Sequence, residues 1–191
     1  VLENQEILTH FEELKGKVTL VAGGPPCQGF SVAGARNGND PRNLLVFKMI
    51  HAIELLKPLF CMVENVGGFE KKFVQRPLDG ATMSVAEEAV HEIEQLGYNV
   101  GKITINAADY GVPQLRKRVI IFAISKDFGG ELNVTRLLTD VLAQVKLEQR
   151  KELGLPVDRY VNIEEAISDL AGTEMVDEPE FPKYRTCKYL P

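Results

Sequence analysis

Two short apolar segments that flank a helical pattern constrain the fold of this chain more than any other feature. Residues 18–21 (VTLV) run into a pair of glycines, and residues 59–63 (LFCMV) run into a glutamate. Between them, apolar residues recur at helical spacing over positions 45–56, and a proline follows shortly afterwards. This order predicts a βαβ unit, whose two strands lie parallel and are buried on both faces of a sheet.

The rest of the chain repeats the alternation of helices and strands. Residues 84–96 have the pattern of an amphipathic helix, and residues 97–107 and 118–124 have that of two strands joined by a loop. Further helices are predicted at 135–152 and 163–170, before an extended tail interrupted by prolines. We therefore predict an α/β fold with a mostly parallel sheet.

Composition and charge exclude several classes of protein. The chain has 191 residues, of which 45% are hydrophobic and 26% are charged, as is ordinary for a globular domain. Its net charge of −5 gives no general attraction to nucleic acid, so such binding would require a local basic surface. No apolar run approaches the ~20 residues of a membrane span, and the N-terminus is too charged for a signal peptide. We expect an intracellular protein without membrane association.

The chain contains three cysteines, an odd number without CxxC spacing, which argues against a disulfide framework and against a zinc site. No metal is therefore predicted. Cys61 lies inside an apolar strand and is predicted to be a small buried side chain. Cys27 differs, because it lies in the loop GGPPCQGFS, where prolines fix the backbone and glycines let a substrate approach. Composition alone leaves Cys27 open between a catalytic thiol and an ordinary small side chain.

Polar side chains follow both strands of the predicted βαβ unit. Cys27 comes after the first strand, and Glu64 and Asn65 come directly after the second. Because parallel strands end at the same sheet edge, ~5 Å apart, a thiol and a carboxylate there could face one small substrate. A structural interpretation is also open, in which Glu64 caps a helix or pairs with a lysine.

A third candidate segment is the loop GVPQLRKR before the last predicted strand. Gln114, Arg116 and Arg118 alternate along it, so they point the same way if the backbone is extended. A short basic run can equally be a solvated surface. The histidines lie on predicted helices far from Cys27 in sequence, which leaves a protease-like Cys–His pair unsupported.

Three segments in this order resemble the signature of the cytosine-5 DNA methyltransferases. They are GGPPCQGFS, then ENV with its glutamate 37 residues after the cysteine, then GVPQLRKRV. The family's hallmarks are a Pro-Cys-Gln loop, a Glu-Asn-Val strand end and a Gln-x-Arg-x-Arg strand. The resemblance spans residues 18–125 and implies the Rossmann-like fold of the S-adenosylmethionine-dependent methyltransferases. It also implies S-adenosylmethionine as cofactor and double-stranded DNA as partner.

The resemblance implies roles for the residues at the sheet edge. The Cys27 thiolate would add to C6 of a flipped-out cytosine, which makes C5 reactive toward the methyl group. Glu64 would bind the N3/N4 edge of the base, and Arg118 would hold its O2. Asn65 would brace the Pro-Cys loop.

The same resemblance implies contacts with the DNA around the target base. Arg116 and Gln114 would support the site or a nearby phosphate. Gln28 and Ser31, which follow the cysteine, would meet the DNA backbone.

The sequence departs from the family pattern at the cofactor site. The family's glycine-rich turn and the acidic residue after it are absent from the sequence, and only Pro26 and Leu45 match cofactor contacts. We therefore predict a catalytic core at residues 1–130 that is incomplete at its N-terminus. Residues 131–191 are predicted to form a helical and extended segment leading toward an absent target-recognition region. A complementary chain or further segments would then complete both sites.

Three other functions remain open from the sequence. Related tRNA cytosine-5 methyltransferases share the three segments, although they usually carry a different residue pair where this chain has Gly29 and Phe30. The absent cofactor elements also suit a non-catalytic fragment or one subunit of a split methyltransferase. A cysteine-dependent hydrolase would need a histidine beside Cys27. The expected location is the cytoplasm or nucleoid in a bacterium and the nucleus in a eukaryote.

Overall fold

Helices and strands alternate along the part of the chain that the computed structural model describes, residues 4–26, 45–78, 81–168, 174–177 and 185–188. The helices there are α1 (Gln5–Leu14), α2 (Leu45–Leu56), α3 (Val85–Gln95), α4 (Lys126–Gly129), α5 (Val134–Glu152) and α6 (Ile163–Ile167). The strands there are β1 (Leu20–Gly23), β2 (Phe60–Asn65), β3 (Lys72–Leu78), β4 (Ala81–Ser84), β5 (Tyr98–Asn106), β6 (Lys117–Ser125), β7 (Glu174–Asp177) and β8 (Arg185–Lys188). Short 3-10 helices follow β2 (Gly67–Glu70) and β5 (Ala107–Tyr110).

Among the described residues, the main sheet has the strand order β1-β2-β6-β5. β1 and β2 run parallel, with Leu20 opposite Phe60 and Gly23 opposite Val63. β6 runs antiparallel to both of its neighbours. The βαβ prediction is confirmed, because α2 lies in the chain between two parallel neighbouring strands.

The α/β fold class is confirmed, with a sheet that is parallel at its start and antiparallel beyond β2. The antiparallel part follows from a short connection, since only residues 107–116 separate β5 from β6 and a parallel crossover needs about a dozen residues or more. β3 pairs with β4, and β7 pairs with β8, as two separate antiparallel hairpins. The first hairpin was not predicted, because Pro77 and several charged residues interrupt the strand pattern of its sequence.

The predicted helices are confirmed as α2, α3, α5 and α6, with small differences at their ends. α6 stops at Ile167, earlier than the predicted end at residue 170. A capping box begins α3: the Ser84 hydroxyl accepts from the Glu87 N–H, and the Glu87 carboxylate accepts from the Ser84 N–H. Such caps stabilise a helix by about 1 kcal/mol. No helix in the described ranges is both long and apolar enough to span a bilayer.

The chain divides into two compact units. The first comprises residues 1–106 and 117–145, and the second comprises residues 107–116 and 146–191. In the first unit, apolar side chains of α2 and α3 pack with those of the central strands into one cluster. Its buried members include Val46, Ile50, Ile53, Cys61, Val63, Phe69, Ala86, Ala89, Ile93, Tyr98, Val119, Ile121 and Ala123. This cluster fixes the strands whose ends carry the candidate site.

Side chains alternate along β2, and the alternation decides what this strand presents at the sheet edge. Cys61, Val63 and Asn65 are buried, whereas Met62 and Glu64 are partly exposed. Because successive side chains of a strand point to opposite faces, Glu64 and Asn65 leave the sheet on different sides. Asn65 faces the core, on the same side of the sheet as Cys61 and Val63, and Glu64 faces the open side of the sheet.

Candidate functional site

The ends of β1 and β2 lie side by side, as the sequence predicted for a parallel pair. Gly23, the last residue of β1, is opposite Val63, so Gly24, which follows β1, lies beside Glu64 near the carboxyl end of β2. A Cβ atom placed on Gly24 would lie 2.9 Å from Oε2 of Glu64, closer than side chains tolerate. The glycine therefore leaves room for the carboxylate, a role that was not predicted from the sequence.

Glu64 and Arg118 form an ion pair on the open side of the sheet. Nε of Arg118 lies 2.6 Å from Oε1 of Glu64, and Nη1 of Arg118 donates to the Lys117 carbonyl at 2.8 Å. The pair is diagonal across β2 and β6, since Glu64 is directly opposite Ile120. The Arg118 side chain is 18% exposed and that of Glu64 is 38% exposed.

The Glu64–Arg118 pair matters more for chemistry than for stability. A partly exposed ion pair contributes about 0–1 kcal/mol to folding. It does place a hydrogen-bond acceptor and a planar fork of donors next to each other at the carboxyl end of a strand. A small planar ligand with both donor and acceptor groups on one edge could bridge the two side chains.

Asn65 lies on the opposite face and ties the strand end to the loop after β1. Its side chain is 2% exposed, and its amide nitrogen donates to the Pro25 carbonyl at 3.2 Å. Its amide oxygen accepts from the Val66 N–H at 2.9 Å. The contact with Pro25 is what the predicted bracing role requires.

Pro26 and Leu45 border the segment that joins β1 to α2. Pro26 is exposed at the end of the first described range, and Leu45 is 40% exposed in the first turn of α2. Pro26 lies three residues after the end of β1, and Leu45 is the first residue of α2. Cys27, Gln28 and Ser31 lie outside the described residues, so their predicted roles stay predictions.

Gln114 and Arg116 belong to the second unit, in the connection between β5 and β6. The hydrogen bonds that hold the backbone there include one from the Gln114 N–H to the Val112 carbonyl at 2.8 Å and one from the Ala107 N–H to the Arg116 carbonyl at 3.0 Å. The side chains of Gln114 and Arg116 are exposed. The second bond closes the base of the connection just before β6 begins.

Cys61 is a buried thiol, as predicted, with 1% of its surface exposed. Burial raises the pKa of Cys61 to about 12, although a hydrogen bond with Tyr98 opposes part of the increase. The Tyr98 hydroxyl donates to the Pro58 carbonyl at 2.7 Å, and burial raises the pKa of that hydroxyl as well. Cys61 is therefore protonated at neutral pH and is no nucleophile.

The surroundings of Arg150 at the end of α5 were not predicted from the sequence. This arginine is 2% exposed and donates hydrogen bonds to backbone carbonyls in the second unit. The side chain of a charged residue in the last turn of a helix is normally exposed to solvent. The sequence around Arg150 therefore gives no sign that its side chain is buried. The only hint in the sequence is the irregular, proline-containing segment that follows the helix.

Comparison with known proteins places the chain among DNA methyltransferases. The family model described as C-5 cytosine-specific DNA methylase matches residues 3–188. The chain is 34% identical over 169 residues to the Type II methyltransferase M.DdeI of Desulfomicrobium norvegicum, covering 85% of this chain and 36% of that protein. It is 32% identical over 179 residues to the Type II methyltransferase M.AgeI of Thalassovita gelatinovora, covering 88% and 40%.

A solved structure supports the fold. The chain resembles a crystal structure of a DNA modification methyltransferase encoded within an E. coli prophage, with a TM-score of 0.52 and 24% identity. The match covers 86% of this chain and 38% of that one. The chain thus spans well under half the length of each of these three relatives. The complementary chain expected from the sequence stays a prediction. The family match extends over nearly the whole sequence: the chain belongs to the C-5 cytosine-specific DNA methylase family.

Proposed function

We propose that this chain carries the catalytic centre of a methyltransferase that acts on C5 of a flipped-out cytosine in double-stranded DNA. The observation that carries the proposal is the Glu64–Arg118 pair, with Oε1 and Nε 2.6 Å apart at the end of β2. Family membership supplies the reaction class, and the pair supplies groups suited to a cytosine edge.

The donor and acceptor pattern of cytosine matches this pair. The base carries an amino donor at N4, a ring acceptor at N3 and a carbonyl acceptor at O2. Glu64 would accept from the N4 amino group and, once N3 gains a proton, from N3 as well. Arg118 would donate to O2. Both side chains are partly exposed, so a base can reach them once it has left the helical stack.

Addition to C6 is assigned to Cys27, on the sequence alone. The thiolate would form a bond to C6, which breaks the C5–C6 double bond, while N3 takes up a proton and a double bond forms between C4 and C5. After C5 has gained the methyl group, transfer of the C5 proton to water would restore the C5–C6 double bond and break the bond between C6 and sulfur, and N3 would lose its added proton. Glu64 and Arg118 would stabilise the charge that develops on the ring during both steps.

Two exposed apolar residues fit one side of a cofactor site. Pro26, three residues after the end of β1, and Leu45 at the start of α2 would contact S-adenosylmethionine through apolar surface. The bound cofactor supplies an electrophilic sulfonium methyl group. Asn65, through its bond to the Pro25 carbonyl, would hold the backbone that precedes both Pro26 and Cys27.

The DNA around the target base would be held by other residues of the same loops. Gln28 and Ser31 after the cysteine, and Gln114 and Arg116 before β6, are proposed to contact the backbone or to support the site. Extrusion of the base costs a few kcal/mol, which such contacts must offset. Because the net charge of the chain is −5, it would bind DNA only through local groups of this kind.

Covalent trapping tests the proposed function. Duplex DNA containing 5-fluorocytosine is incubated with S-adenosylmethionine and the whole protein at its natural length. The C5 fluorine blocks the final elimination, so intact-mass analysis should show a protein–DNA adduct. Cys27→Ala should abolish the adduct. Cys61→Ala is the matched control and should retain it, because Cys61 is a buried, protonated thiol.

Two outcomes would contradict the proposal. An adduct that survives Cys27→Ala would exclude that thiol as the nucleophile. A folded protein that forms no adduct with fluorinated DNA but forms one with fluorinated tRNA would make RNA the substrate.

A further inference from the structure

Arg150 occupies an unusual place for a charged side chain. It lies in the last turn of α5, within the second unit, and is 2% exposed. Its Nη1 donates to the carbonyls of Ala108 and Asp109, at 3.1 and 2.9 Å. Its Nε donates to the Pro156 carbonyl at 2.7 Å, and its Nη2 donates to the Arg159 carbonyl. One guanidinium therefore joins a 3-10 helix and an irregular segment to the end of α5.

Only an arginine can make this set of bonds. The guanidinium offers five N–H donors in a fixed planar fork, whereas a lysine ammonium is a single point with three donors. Burying a charge is costly unless its hydrogen bonds are satisfied. The carbonyls of a 3-10 helix and an irregular segment also need donors once they are buried. The carbonyls thus accept the hydrogen bonds that the buried guanidinium needs to donate, and the guanidinium supplies the donors that the buried carbonyls need.

Two further contacts hold the same part of the connection between β5 and β6. Nζ of Lys146, one turn before Arg150 on α5, lies 3.0 Å from Oδ1 of Asp109. Gly111 has a φ of +92°, and a Cβ atom there would lie 2.3 Å from Cδ1 of Leu155. The backbone at residues 108–111 is therefore fixed by hydrogen bonds, an ion pair and close packing.

The connection fixed in this way also carries Gln114 and Arg116. It is pinned at residues 108–111 and closed at its base by the bond from the Ala107 N–H to the Arg116 carbonyl. We propose that Arg150 is a positioning residue, which holds the 107–116 connection in the conformation from which Gln114 and Arg116 engage DNA. This inference rests on the proposed function, because it assigns those two side chains to the DNA.

Hydrogen exchange tests the positioning role without requiring activity. Arg150→Met removes the guanidinium, and Arg150→Lys keeps the charge and most of the chain length. Both variants should speed the exchange of amides 107–116 by about 10-fold or more, while amides of β2 and β6 stay protected. Arg136→Met is the matched control, since Arg136 lies on the same helix with its side chain 82% exposed. It should leave exchange in the connection unchanged.

Steady-state kinetics on duplex DNA supply the functional readout, in the whole protein at its natural length. Arg150→Lys should raise the KM for DNA about 10-fold or more while kcat changes less, because chemistry at Glu64 and Arg118 is retained.

If Arg150→Met fails to fold, the results with Arg150→Lys alone test the positioning role. Unchanged exchange in 107–116, or an unchanged KM with Arg150→Lys, overturns the positioning role. A folded wild-type protein that methylates no DNA would contradict the proposed function instead, and the exchange result would still decide whether Arg150 holds the connection.

Discussion

The carboxylate of Glu64 and the guanidinium of Arg118 meet at 2.6 Å across two antiparallel strands, on the side of the sheet that the core of α2 and α3 does not occupy. The two residues are 54 positions apart in the chain (118 minus 64). Their meeting depends on the register of β2 with β6, in which Glu64 is opposite Ile120. The register of these two strands, rather than proximity in the sequence, therefore brings together the two residues at the centre of the proposed site.

Loss of the Glu64 charge should slow catalysis. Glu64→Gln keeps the size of the side chain but removes the carboxylate that would bind protonated N3. We expect single-turnover methyl transfer to fall by about 10²–10³-fold. Glu70→Gln is the control, since Glu70 also forms a partly exposed ion pair, with Lys102 at 2.7 Å, but lies after the strand end. Equal rates in both variants would argue against a catalytic role for Glu64.

A methyl group on Gly24 should disturb the carboxylate without removing it. In Gly24→Ala, the new Cβ would lie 2.9 Å from Oε2 of Glu64, so the side chain or the backbone must shift. A displacement of this kind costs about 10-fold or more in rate. Gly67→Ala is the matched control, because a Cβ atom there meets nothing within 4 Å. Rapid-quench measurement of methyl transfer compares the two, and an unaffected Gly24→Ala enzyme would contradict the close approach.

Asn65 should contribute measurably to stability. Asn65→Ala leaves the Pro25 carbonyl and the Val66 N–H without their side-chain partner, and Asn65→Asp retains only the acceptor. Each variant should lower the free energy of unfolding by about 1–3 kcal/mol. Urea unfolding followed by circular dichroism measures the change. A loss below about 0.5 kcal/mol in both would show that solvent replaces these bonds.

Cys61 should resist alkylation over a wide pH range. Because its pKa is raised from 9.0 to about 12 in the folded state, the folded protein keeps this thiol protonated while an unfolded chain begins to ionise near pH 9. Stability from this group is complete below about pH 9 and is lost as pH rises toward 12. Iodoacetamide at pH 8 should label Cys61 in urea but not in the native protein. Peptide mass mapping reports the result, and rapid native labelling would disprove the burial.

The sequence predicted the parts of the fold that depend on local pattern. The apolar runs before Gly23 and Glu64, and the helical spacing between them, were sufficient for the βαβ unit. The parallel pairing that follows brought the loop after β1 beside Glu64. These features depend on burial and on a chirality rule that holds for almost all such units.

The features that the sequence did not predict depend on register and on long-range contacts. The alternation of Gln114, Arg116 and Arg118 suggested one common surface, yet the strand begins only at Lys117 and gives Arg118 a partner on β2. The burial of Arg150 depends in part on the carbonyls of Ala108 and Asp109, which lie 42 and 41 positions earlier in the chain and which no local pattern encodes. The β3–β4 hairpin was missed because its composition weakens the strand signal.

Identifying the methylated product is the most direct test of the proposal that this protein methylates C5 of cytosine in duplex DNA. Duplex DNA is incubated with the whole protein and S-adenosylmethionine carrying a deuterated methyl group, then digested to nucleosides and analysed by mass spectrometry. We predict that the wild-type protein forms deuterated 5-methylcytosine and that Glu64→Gln reduces its amount at least 100-fold, about the size of a typical general acid–base contribution. Label in N4-methylcytosine or N6-methyladenine, or label found only in tRNA, would contradict it.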